Sequence, residues 1–127
     1  MIINLSSLLD IALLALRIIV AIIFFSSGKS HVMKPDERAE SIGMSPGATR
    51  FLGIVEIAGA ISVAAGFYIQ VGAALLAGVM LGAIYKKTMV WGTGFYSEKG
   101  YGWHYDLLLL CANLVFLATG GSLVLAG

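Results

Sequence analysis

The sequence is poor in charge, nearly free of cysteine and proline, and without strand-like alternation. Lys and Arg number 8 and Asp and Glu 7, together 12% of 127 residues, about half the share usual in a soluble domain. Hydrophobic residues make up 59% and the mean hydropathy is +0.94. That excludes a soluble globular domain, and it excludes disorder, which needs low hydrophobicity with high net charge. A net charge of +1 creates no field to gather nucleic acid. The single cysteine, Cys111, rules out an intramolecular disulfide and any CxxC redox or zinc pair; it reads as lipid- or core-facing filler. The two prolines, Pro35 and Pro46, both fall between long apolar runs.

What is present is four such runs, residues 8–28, 49–68, 70–91 and 105–126. A helix rises about 1.5 Å per residue, so about 20 residues cross the roughly 30 Å of bilayer hydrocarbon. The runs predict an all-α fold: a four-helix, antiparallel transmembrane bundle forming one domain over residues 1–127. Continuous rather than alternating apolarity excludes an outer-membrane barrel. Residues 1–8 contain no Lys or Arg, so the first run reads as a retained span rather than a cleaved signal peptide. Between the first two spans, Pro35-Asp36-Glu37-Arg38-Ala39-Glu40-Ser41-Ile42-Gly43 predicts a short surface helix. Proline suits its first turn, acidic residues its positive end, and glycine its termination. Ser45-Pro46 then reads as the cap and first position of the next helix.

Basic residues cluster on two connections. Lys29, Lys34, Arg38 and Arg50 flank the first, and Lys86, Lys87 and Lys99 the third. The expectation is that both face the cytoplasm across an inner membrane, with both termini outside. Trp91, Phe95, Tyr96, Tyr101, Trp103 and Tyr105 would form an interfacial belt on that side, or line a site for a lipophilic ligand. Small residues at four-residue spacing, Ala74, Gly78 and Gly82, predict close packing of the third span on the second, where Gly59 and Gly66 lie seven apart; a homodimer contact is the alternative.

Ionisable groups within spans are costly, roughly 2.5–3.5 kcal/mol each at the bilayer centre. Arg17, Glu56 and Asn113 are expected to meet, the arginine reaching the others by snorkelling. Asp106, Asn113 and Gly120 recur every seven residues on one stripe. Lys29, His31, Tyr85, Lys86, His104 and Asp106 would widen this into a polar funnel, floored by an Arg17–Glu56 pair that either fixes helix register or serves a ligand. His31 and His104 have no metal-ligand spacing, so no metal site is expected.

Several segments resemble the DoxX family of small four-helix membrane proteins, in its DoxX-like branch. They are Leu16-Arg17-Ile18 with Phe24-Phe25-Ser26-Ser27-Gly28-Lys29; Gly43-Met44-Ser45-Pro46 leading to Gly53-Ile54-Val55-Glu56-Ile57-Ala58-Gly59; and Trp103-His104-Tyr105-Asp106-Leu107-Leu108, with Thr119-Gly120-Gly121-Ser122-Leu123 beyond. Val124 stands where the family usually has Asp. The resemblance implies association with membrane oxidoreductase systems: the family is named for a subunit of a thiosulfate:quinone oxidoreductase, and other members are linked to oxidative stress or thiol handling. Arg17, Lys29, Glu56 and Asp106 match its recurrent polar positions. The resulting expectation is a subunit or partner of an oxidoreductase, with a quinone-like molecule held near Arg17, Lys29, Glu56, Tyr85, Trp103, Asp106 and Asn113. The alternative is a non-enzymatic structural or assembly partner of a larger membrane complex. The bilayer is the expected surrounding in both cases, with a membrane protein partner or a second copy of the chain as possible company.

Overall fold

The computed structural model describes residues 5–95 and 102–120. The first helix, α1, runs Leu5–Met33, five residues past the expected end of its span. Nothing in Lys29-Ser30-His31-Val32-Met33 disfavours a helix; the stop is Pro35, which restricts the residue before it. Pro35 opens α2 (Pro35–Ile42), which closes on Gly43 in the left-handed conformation (φ 69°) with its N–H donating to the Ala39 carbonyl. The expected surface helix is therefore present. α3 (Pro46–Ala65) starts where Ser45 accepts a hydrogen bond from the Ala48 amide, and it ends on Gly66 at φ 75°. α4 (Ile69–Tyr85) continues into a π-helical turn, Lys86–Val90. α5 (Trp103–Thr119) stops at Gly120, φ 71°. It is shorter than the expected fourth span, whose remainder lies outside the described residues, as do Tyr96 and Tyr101 of the aromatic belt.

Three stretches, Leu8–Met33, Pro46–Ala65 and Ile69–Val90, are long and apolar enough to cross a bilayer, with α5 a shorter apolar fourth. The chain is a multi-pass membrane protein. α1 packs on α3, α3 on α4 and α4 on α5, while α1 only grazes α5. Val20, Phe24, Ala60, Val63, Leu76 and Phe116 fill the interior. Ile19, Ile22, Ile54, Leu81 and Leu108 face outward, as suits a bundle whose solvent is hydrocarbon.

The small-residue expectation fails in its facing. Ala74, Gly78 and Gly82 are exposed, and a Cβ on Gly78 or Gly82 would meet nothing within 4 Å. The α3–α4 contact runs instead through Gly59 and Gly72. A Cβ on the first would come within 2.8 Å of Leu76 Cδ2, and on the second within 2.5 Å of Ser62 Oγ. The cause is the connecting turn. Gly66 and Tyr68 (φ 51°) are both left-handed, and they rotate α4 so that Ile69, Gly72, Ala73 and Leu76 turn inward. Gly66 is spent as a helix cap rather than as a packing surface.

Candidate functional site

α1 and α3 run antiparallel and cross at two glycines. A Cβ on Gly28 would stand 2.7 Å from the Gly53 carbonyl oxygen and 3.1 Å from Glu56 Cβ. One on Gly53 would stand 2.6 Å from the Gly28 carbonyl oxygen and 2.8 Å from His31 Cβ. Each glycine thus leaves room for the polar side chain three residues along the other helix. Between them, His31 Nδ1 lies 3.2 Å from Glu56 Oε1, with both side chains at most 5% exposed.

The chain of polar groups continues outward. Arg38, on α2, places Nη2 3.5 Å from His31 Nε2. A guanidinium only donates, so Nε2 is the accepting nitrogen; Nδ1, although close to Glu56, makes no hydrogen bond with it. Inward, Glu56 Oε2 is buried with no hydrogen-bond partner. Asn113 on α5 is fully buried. Its Nδ2 donates to the Leu109 carbonyl at 2.9 Å, and its Oδ1 also lacks a partner. Gly59 against Leu76 on one side of α4, and Gln70 against the Leu117 carbonyl with Lys87 against Asp106 on the other, put Glu56 and Asn113 at one height, level with the middle of α4. At this level, among the described residues, the core therefore holds two acceptor oxygens, Glu56 Oε2 and Asn113 Oδ1, without donors.

Arg17 and Glu56 do not pair. Arg17 donates from Nε to the Val63 carbonyl at 2.9 Å and from Nη2 to the Ala64 carbonyl at 3.3 Å. These belong to the last turn of α3, where carbonyls have no intrahelical donor and the helix dipole is negative. The Ser62 carbonyl of the same turn is taken by the Gly66 and Phe67 amides. Arg17 therefore caps α3. Glu56 lies two turns away, about 12 Å along the axis, beyond the reach of a snorkelling arginine. The expected register failed because α1 extends to Met33, which sets Gly28 rather than its end against Gly53.

The remaining expected site residues separate. Asp106 is buried, with Lys87 Nζ 2.7 Å from its Oδ2, at the start of α5. Trp103 is half-buried and packs edge-on against Phe95, centroids 4.7 Å apart. Tyr85 and Lys29 are exposed on α4 and α1, and Lys29 borders a cavity with Ser26, Ser30, Met33 and Lys34 rather than with Glu56 or Asn113. No group of three metal-ligating side chains occurs among the described residues. Sequence reasoning missed the role of His31 and Arg38. The signal was a matched pair of spacings, Gly28-x-x-His31 and Gly53-x-x-Glu56, which places a small residue and a polar one on each facing surface.

The DoxX family model matches residues 12–89, more than half of the chain and all of the α1–α3 crossing. No curated protein and no solved structure gives a match.

Proposed function

Taking as premise that the chain belongs to the DoxX family, we propose that it is a small inner-membrane partner of an oxidoreductase system, holding a quinone-like molecule between its helices at Glu56 and Asn113. The observation that carries this reading is the pair of buried, donorless oxygens, Glu56 Oε2 and Asn113 Oδ1. Ionisable groups are kept within a bundle at a cost and by default mark a function. Arg17 is engaged with the end of α3, two turns from Glu56, and Asn113 Nδ2 donates to the Leu109 carbonyl, so the unengaged groups at this level include two acceptors. Two acceptors suit the reduced form, whose two hydroxyls donate. The sparse α1–α5 seam is the lateral route from the lipid. Electrons from the hydroquinone pass to the oxidoreductase partner, and the released protons leave through Glu56 and His31 toward the α2 surface, the cytoplasmic side in this reading.

The test is binding of a short-tailed hydroquinone and its quinone to the protein in nanodiscs. We expect the reduced form to bind more tightly, and Glu56→Gln to weaken it by about tenfold, the worth of a hydrogen bond to a charged group. Equal binding of both forms, or an unaltered variant, overturns the reading.

A second reading, a structural or assembly partner, draws on a different observation. The Ala74–Gly78–Gly82 face of α4 is open and would admit another transmembrane helix at close range. Gly78→Leu should then abolish co-purification of a partner or a second copy while leaving hydroquinone binding intact.

A further inference from the structure

Two concavities run along one face of α1 and share Ser26. The first, about 280 Å³, is an apolar groove on the α1–α3 seam, floored by Ala21 and Ala60 and walled by Ile18, Ile22, Phe25 and Ala64 among others. The second, about 320 Å³, is bounded by Ser26, Lys29, Ser30, Met33 and Lys34. Ile18, Ile22, Phe25, Lys29 and Met33 follow the three- and four-residue spacing of a single helix face. One end of the track is therefore hydrocarbon and the other carries two ammonium groups and two hydroxyls. Lys29 and Lys34 are exposed, and among the described residues neither has a carboxylate partner, the ion pairs there being His31–Glu56 and Lys87–Asp106.

We propose that this track is a binding site for one anionic phospholipid, its phosphate held by Lys29, Lys34 and the Ser30 hydroxyl, and one acyl chain laid in the α1–α3 groove. The dimensions agree. Ile18 to Lys29 spans about 16 Å of helix, close to half of the roughly 30 Å hydrocarbon core, so a chain leaving the phosphate at Lys29 reaches Ile18 at about the bilayer midplane. Charge supplies the selectivity: basic residues at the membrane surface attract anionic headgroups, whereas a zwitterionic headgroup gains little there. The groove separates a bound lipid from a general surface attraction, because it holds the chain against protein rather than against other lipid. The site uses none of the buried polar residues of the proposed quinone site and stands or falls without them.

The experiment is native mass spectrometry of the full chain in mild detergent, titrated with dioleoyl-phosphatidylglycerol or dioleoyl-phosphatidylcholine, with inorganic phosphate as competitor. We expect one phosphatidylglycerol retained per chain, in preference to phosphatidylcholine and undisturbed by phosphate. K29Q/K34Q should weaken retention by about 30-fold, the combined contribution of two basic residues. Ala64→Phe, an exposed position on the groove wall, should weaken it by blocking the acyl chain while helix content stays unchanged. Equal retention of the two lipids, displacement by inorganic phosphate, or full retention in either variant overturns the proposal.

Discussion

The carbonyl oxygen of Gly53 lies 2.7 Å from where a Cβ on Gly28 would stand, and the carbonyl oxygen of Gly28 lies 2.6 Å from the corresponding point on Gly53. This reciprocal approach brings α1 and α3 close enough for His31 to meet Glu56. Gly28→Ala or Gly53→Ala must push two backbones apart, at about 1–3 kcal/mol. Thermal unfolding in detergent should show both variants less stable, and Gly47→Ala, which meets nothing within 4 Å, unchanged or slightly more stable.

Glu56→Ala strands a buried imidazole, and His31→Ala strands a buried carboxylate. Each should cost several kcal/mol, up to the roughly 3–5 kcal/mol seen when one partner of a buried pair is removed. The double variant should be more stable than the sum of the two losses implies. Additive losses in a double-mutant cycle would mean that the two side chains do not interact.

Arg17→Leu removes both donors to the Val63 and Ala64 carbonyls. The effect should centre on the α3–α4 turn, as faster amide hydrogen exchange from Gly66 to Gly72 with little change at Gly53. The charge exchange Arg17→Glu with Glu56→Arg should give no rescue, because the two positions lie at different heights. Rescue by that exchange would contradict the capping role.

Lys87→Met leaves Asp106, 4% exposed, without its counter-charge at the first turn of α5. We expect a loss of about 3–5 kcal/mol, read as a fall in unfolding temperature. Asp106→Asn in the same background should recover much of it.

The three long spans, the short α2 and the Ser45 cap were legible in the sequence, because length, proline placement and capping chemistry act locally. The facing of the helices was not. A soluble helix shows its inward side by an apolar stripe; here α3 and α4 are apolar around most of their circumference, so the periodicity of Ala74, Gly78 and Gly82 could not tell lipid from neighbour. Of the expected site, Glu56 and Asn113 are brought to one level of the core and Asp106 is buried with a lysine. Arg17 was misassigned because its partners are carbonyl oxygens, which every residue carries and no sequence pattern marks. His31 lies beyond the apolar run, which ends near Gly28, and so carries no helical signal of its own, whereas the helix continues to Met33.

Arg17's engagement with the end of α3 bears on how the protein is made. When the first span leaves the ribosome, the carbonyls that will satisfy its guanidinium have yet to be synthesised, and an arginine near the middle of a lone helix costs roughly 2.5–3.5 kcal/mol during translocon-mediated integration. The first and second spans therefore complete one another: the hairpin they form with α2, rather than either helix alone, is the smallest unit that can be released into lipid with its charge answered.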